Sequence, residues 1–384
     1  MIKEVTFKNF RRFDDLRLPL ARVTVLTGVN GVGKTTVLEG LYCLFSETKL
    51  DVLPLSRYAK TLGVTINQSP VPHMPFGVFA RPNINYHLFW RECPIFDQAE
   101  CSVGALSDNG LEWLWTYQKA NASDLDKALT DNYHPIDSTV EFALWNWSKC
   151  GEQFDPQTEQ SSIIDERFQR AQFLSYTDGL FFLPQTNLPS SIKNMSLCRY
   201  LEFSTLRVSP NKLSFELSKS LTQALRIINP HVTDVRLIDN EGGLSVILDD
   251  KYSVSLGAIG NGAVTLVSAL LVIVDLIEQA QKVPTDAPVF LLIDEMGAGI
   301  HYSIMLAVWK HIRVLMNGNQ NIQFVFTTHS NDCIRAFCEE FVGSDAAKIV
   351  RLHQTKTKNM IVPTVYCSED NFGDIIEDNM EVRG

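Results

Sequence analysis

The chain has 384 residues, more than one compact core usually holds, so two lobes or one domain with a large insertion are expected. Its 45% apolar and 20% charged content is that of a globular protein, and its net charge of −10 argues against a surface built throughout to grip nucleic acid. Eight scattered cysteines without a CxxC exclude a disulfide framework and a zinc ribbon. The charged opening MIKEVTFKNFRRF speaks against a secretory leader. No apolar run approaches the roughly 18 residues that span a bilayer. The expected setting is the reducing cytoplasm, away from membrane.

In chain order, the first informative stretch is RVTVLTGVNGVGKTTVLE, residues 22–39. Val23, Val25 and Leu26 predict a strand. A glycine-rich turn follows, and Val37, Leu38 and Leu41 then take up helical spacing. This is GxxxxGK[ST] between the strand and helix that its chemistry requires. Glycines let the backbone N–H groups of Asn30, Gly31, Val32 and Gly33 converge on a phosphate, and the helix start at Lys34, Thr35 and Thr36 adds its positive end. In this pattern Lys34 reaches the β- and γ-phosphates of ATP and the Thr35 hydroxyl ligates Mg²⁺.

Residues 49–179 differ in character and read as a mainly helical, acidic insertion. Residues 50–175 hold five of the six tryptophans (Trp90, Trp113, Trp115, Trp145 and Trp147) and carry 9 Lys/Arg against 16 Asp/Glu. Apolar spacing predicts helices over 122–131, 138–150 and 159–173. The tryptophans make either a small core or anchors of an acidic docking surface for a protein partner. A negative lobe suits phosphate backbones poorly, so DNA is a partner that charge does not indicate.

Further on, Gly257 to Gly262 opens a long apolar helix within KYSVSLGAIGNGAVTLVSALLVIVDLIEQA, residues 251–280. Gly260, Asn261 and Gly262 make either a bare turn or a second anion site, used in trans against nucleotide held by another copy. Residues 289–301, VFLLIDEMGAGIH, predict a strand buried on both faces that ends in two adjacent carboxylates. Such a pair is tolerable beside a cation, whereas the alternative is a solvated loop. With the phosphate loop upstream, Asp294 is expected to hold the Mg²⁺ carried by Thr35, and Glu295 to deprotonate the attacking water. A last buried strand in IQFVFTTHSND, residues 322–332, delivers His329 to a strand end, where it can sense the γ-phosphate. The late acids Glu369, Asp370, Asp374, Glu377 and Asp378 look like a solvated helix face.

Together these elements resemble the ABC-type ATPases of the SMC-like and OLD-like AAA group. KNFRRF is similar to that group's first strand and NFR turn, GVNGVGKTT to its phosphate loop, LGAIGNG to its signature turn, LLIDEMGAGIH to its metal strand, and FTTHSND to its switch histidine. Residues 348–384 resemble the closing hairpin and helix of stand-alone members. The resemblance implies an α/β fold: a P-loop NTPase head with a mixed central sheet flanked by helices, built from residues 1–48 and 180–384. It implies ATP hydrolysis with Mg²⁺, assembly as a homodimer or higher oligomer, and a separate effector, a nuclease or toxin, as in anti-phage defence. DNA clamping in repair or maintenance is the alternative.

The resemblance also implies that Arg11 or Arg12 touches nucleotide and that Gln185 couples the metal to a lid. The chain departs from the group's pattern at Ile259, where a serine is usual, and at Thr265, where an arginine is frequent. It departs again at Met296-Gly297-Ala298-Gly299, which replace an acid-asparagine-glycine run. These departures imply slow turnover, closer to a switch than a motor.

Overall fold

A computed structural model describes residues 1–45, 101–120, 140–150, 167–175, 197–202, 213–238, 243–281, 288–298, 300–317, 322–355 and 360–377. The chain divides into two compact units. One comprises Met1–Pro19, Glu39–Ser196 and Gln354–Pro363; the other comprises Leu20–Leu38, Leu197–His353 and Thr364–Gly384.

With strands numbered in chain order, the first unit is built on β1 (Ile2–Phe10), β2 (Phe13–Pro19), β4 (Cys101–Ser107), β5 (Glu112–Ala120), β6 (Val140–Cys150) and β7 (Arg167–Ser175). They form one antiparallel sheet in the order β2-β1-β4-β5-β6-β7. Phe7, Phe10 and Phe13 are buried together beneath the first hairpin, and Trp113 meets Phe45 edge-on at 5.9 Å between centroids.

This corrects the expectation of a helical insertion. Residues 138–150 and 159–173 were to be helices, yet Val140–Cys150 and Arg167–Ser175 are strands. The same sequence, VEFALWNWSKC, is crowded with aromatic residues that favour a pleated, half-buried surface, and each strand gains a paired neighbour that local spacing does not reveal. The described strands of the insertion extend the N-terminal hairpin's sheet rather than forming a separate lobe, since β4 pairs with β1. The proposed helix at 122–131 lies outside the described residues. Buried Trp113 fits the small-core reading of the tryptophans.

The second unit holds a six-stranded sheet in the order β15-β14-β3-β13-β12-β8. Its members are β3 (Val23–Thr27), β8 (Leu197–Glu202), β12 (Val289–Asp294), β13 (Ile322–Thr327), β14 (Ala347–Gln354) and β15 (Ile361–Cys367). The pairs β14–β3, β3–β13, β13–β12 and β12–β8 are all parallel. Every residue of β3, β12 and β13 is buried, which explains why apolar residues dominate them.

Helices α1 (Lys34–Phe45), α2 (Phe215–Ile228), α3 (Leu256–Ile259), α4 (Asn261–Ala280), α5 (Tyr302–Asn317), α6 (Asn331–Phe341) and α7 (Phe372–Glu377) complete the described elements, with a three-stranded sheet of β9 (Val232–Leu237), β10 (Leu244–Leu248) and β11 (Tyr252–Ser255). The expected closing hairpin and helix are β14, β15 and α7.

Helix α4 contains a window, Asn261–Glu278, long and apolar enough to cross a bilayer by length and composition alone. Its Ala263, Leu266, Val267, Leu270, Ile273 and Leu276 are buried in the unit's main apolar core, as in the core helix of a globular fold. Trp309 of α5 anchors the same core. Its ring lies edge-on to Phe326, Phe337 and Phe341, and its indole N–H donates to the Cys333 carbonyl at 3.1 Å.

Candidate functional site

Three parallel strands bring their carboxyl ends to one edge, and each carries part of the site. Strand β3 runs into the glycine-rich loop, β12 ends at Asp294, and β13, lying between them, ends at Thr327.

The loop turns through Gly28, Gly31 and Gly33, whose φ angles of 131°, 76° and 111° lie where side-chain-bearing residues are strained. Gly28 is further constrained, because a Cβ there would stand 2.3 Å from the Leu352 carbonyl oxygen of β14. Asn30 and Gly31 are exposed at the tip, Val32 is buried beneath it, and Gly33 leads into α1. The Val37 N–H donates to the Gly33 carbonyl at 3.0 Å, closing the first helical turn. Helix geometry therefore leaves the N–H groups of Lys34, Thr35 and buried Thr36 without partners inside the helix.

Lys34 is 6% exposed, and its Nζ donates to the carbonyls of Gly28 at 2.7 Å and Val29 at 3.0 Å. Burial pushes its pKa down to about 8, against the opposing pull of the Asp294 and Glu295 carboxylates. An ammonium folded back onto its own loop and starved of water is poised to take a polyanion as a better partner.

The Thr35 hydroxyl donates to Asp294, at 2.9 Å to Oδ2 and 3.2 Å to Oδ1. Residues 259 positions apart thus meet, with Asp294 buried. A hydroxyl and one carboxylate form the hard-oxygen donor set that suits Mg²⁺, which takes one or two carboxylates and completes its shell with water and substrate phosphates. Among the described residues there is no group of three or more His, Cys, Asp or Glu side chains able to hold a metal on their own. The donor set fits a metal that arrives with phosphates.

Glu295 follows at once, with its side chain exposed and its backbone at φ 60°, a left-handed conformation rare for a non-glycine residue. The sequence did not single out what holds it there. The Thr327 hydroxyl accepts from the Glu295 N–H at 2.9 Å and donates to Asp294 Oδ1, while the Thr327 carbonyl accepts from the Met296 N–H at 2.7 Å. Thr328 extends the clasp, its hydroxyl donating to the Met296 carbonyl at 2.8 Å. The available signal was the paired threonines of FTTHSND, two hydroxyls at the mouth of a buried strand. His329 comes next, exposed at the same edge, and Ser330 caps α6 by accepting from the Cys333 N–H.

In the first unit the Arg11 guanidinium pairs with buried Glu39, and Arg11 itself sits at φ 53°. Gly260 has φ 125° between α3 and α4, with Asn261 exposed beside it. Among the described residues no hydrogen bond joins Gly260, Asn261 or Gly262 to the phosphate loop. Gln185 lies outside the described residues.

Residues 1–142 match the family described as AAA ATPase domain. The chain is 23% identical over 396 residues to a Helicobacter pylori protein named ATP/GTP phosphatase, covering 96% of both chains. Over a shorter stretch of 41 residues it is 46% identical to an OLD nuclease of Thermus scotoductus, covering 11% of this chain and 8% of the relative. Among solved structures, the SMC head domain from Thermotoga maritima aligns over 96% of this chain and 99% of its own, at 12% identity and a TM-score of 0.42.

Proposed function

We propose that this chain, an OLD- and SMC-like AAA ATPase, works as a slow, Mg²⁺-dependent switch whose ATP-bound state assembles with further copies of itself and controls a separate effector protein, a nuclease or toxin, in anti-phage defence. The observation that carries the hydrolytic part is the contact between Thr35 and Asp294, which places a phosphate-loop hydroxyl against the acid of a distant strand.

In this reading Lys34 leaves the carbonyls of Gly28 and Val29 for the β- and γ-phosphates, and the loop and helix N–H groups hold the phosphate oxygens. Thr35 and Asp294 would hold a Mg²⁺, which would supply positive charge against the phosphates. Glu295 accepts the proton of the attacking water, and His329 donates to the γ-phosphate. Gly260 to Gly262 contact nucleotide held by a second copy. The effector and its anti-phage setting rest on likeness to the group, together with the acidic composition of residues 50–175.

Phosphate release by purified protein tests the chemistry. Lys34→Ala is expected to lose nucleotide binding, and Glu295→Gln to keep ATP while losing turnover. Wild-type hydrolysis by Glu295→Gln refutes the assignment of the base. For the biological role, tagged Glu295→Gln protein is recovered with ATP from cells carrying the native gene neighbourhood, and the copurifying material is identified by mass spectrometry. A stoichiometric nuclease or toxin encoded beside it supports the effector reading. DNA alone, with hydrolysis stimulated by DNA and falling steeply with salt, points instead to a DNA-clamping ATPase of repair or maintenance.

A further inference from the structure

We infer that Thr327 is the positioning residue of the hydrolytic step: its one hydroxyl ties the Asp294 carboxylate to the Glu295 backbone and so aims the base. The inference rests on the reading of Glu295 as that base. Among the described residues, no hydrogen bond holds the Glu295 carboxylate. The backbone sets the point and direction from which the side chain departs, and that backbone is left-handed at φ 60°. A non-glycine residue stays in that region only where its surroundings over-determine it.

The surroundings that do so come from one strand end. A hydroxyl carries a single proton and two lone pairs. The Thr327 proton goes to Asp294 Oδ1, which directs a lone pair at the Glu295 N–H, 2.9 Å away. The Thr327 carbonyl fixes the next N–H, that of Met296, and the Thr328 hydroxyl fixes the Met296 carbonyl. Thr327 is 1% exposed and its strand is buried throughout, so the hydroxyl cannot drift and water does not compete for it. One side chain thereby sets both the orientation of the acid facing Thr35 and the position of the acid facing the reacting water.

A threonine that merely filled space would be replaced well by valine, which has nearly the same shape and lacks the proton. The experiment measures kcat, the Kd for a fluorescent ATP analogue with and without Mg²⁺, and thermal unfolding for wild type, Thr327→Val, Thr327→Ser and Glu295→Gln. Folded Thr327→Val is expected to bind the analogue within about threefold of wild type while kcat falls about ten- to a hundredfold, a loss in the range that positioning of a general base controls. Thr327→Ser, which restores the hydroxyl, is expected to recover most of that rate.

If Thr327→Val turns over within twofold of wild type beside an inactive Glu295→Gln, Thr327 has no positioning role and the base assignment stands. If Thr327→Ser is as slow as Thr327→Val, the hydroxyl is not the agent and the inference fails. If Glu295→Gln is itself fully active, the base assignment and the inference fall together. Should valine prevent folding, Thr327→Ala against Thr327→Ser makes the same comparison.

Discussion

Two glycines with nearly the same backbone angle allow the strain of a side chain to be separated from its collision. Gly28 has φ 131° and Gly260 has φ 125°, so alanine at either position must adopt a conformation that costs about 1–3 kcal/mol. Around Gly260 nothing lies within 4 Å of an added Cβ. At Gly28 the Cβ would stand 2.3 Å from the Leu352 carbonyl oxygen and 3.1 Å from Val32 Cγ1. Leu352 cannot retreat easily, because β14 is locked to β3 by the parallel pairs Val350 with Leu26 and Arg351 with Thr27. Overpacking against fixed backbone costs roughly another 1–3 kcal/mol, or moves the loop itself.

Gly28→Ala should therefore be the less stable variant by roughly 1–3 kcal/mol in urea unfolding, a large fraction of the ~5–15 kcal/mol that a domain commonly holds. It should also lose nucleotide affinity, since relief of the collision with Leu352 and Val32 displaces the loop proposed to cradle the phosphates. Gly260→Ala should keep the chain's intrinsic affinity for an ATP analogue at dilution. Equal destabilisation of the two variants, or normal nucleotide binding by Gly28→Ala, would refute the argument.

Other consequences are open to direct measurement. Thr35→Val removes the hydroxyl shared with Asp294 and is expected to abolish the Mg²⁺-dependent part of ATP affinity while sparing the Mg²⁺-independent part; titration with and without EDTA separates them. Burial raises the Cys333 and Cys338 thiols to about 12, above their ordinary value near 9. Their contribution to stability is thus complete below pH 9 and is lost as pH rises from 9 to 12. By pH 10 the loss is on the order of 1 kcal/mol per thiol, and urea midpoints across pH 8–10.5 should flatten correspondingly in Cys333→Ala/Cys338→Ala protein. Trp309→Phe leaves the Cys333 carbonyl without its indole donor and opens space among Phe326, Phe337 and Phe341; a cost of about 1–3 kcal/mol is expected by calorimetry or urea unfolding.

The parallel sheet and its edge were legible in the sequence because their signals are local. VFLLI and FVF are apolar runs, GVNGVGKTT carries its own glycine spacing, and Asp294, Glu295 and His329 stand at strand ends. Pairing information is not local, and there the reading failed. Val140–Cys150 has apolar residues at both two- and three-residue intervals, and only its register against β5 and β7 makes it a strand. Thr327 was passed over for a related reason, since a threonine closing a β-strand is ordinary by propensity. Its importance depends on a neighbour 33 positions away. The pairing of Arg11 with Glu39, 28 positions on, is likewise invisible to local spacing.

The strand order has a consequence for when the protein first becomes active. Strand β13 sits between β3 and β12, yet it is the last of the three to be made, ending at Thr327 where β3 ends at Thr27. At ribosomal rates of about 5–20 residues per second, the strand that carries the phosphate loop waits on the order of 15–60 s for its neighbour. During that interval its apolar faces have no β13 to pair with, and Glu295, once made, has no Thr327 to hold it. The nascent chain is therefore unable to spend ATP until most of it has emerged, and its need for protection against misassociation is greatest in that same period.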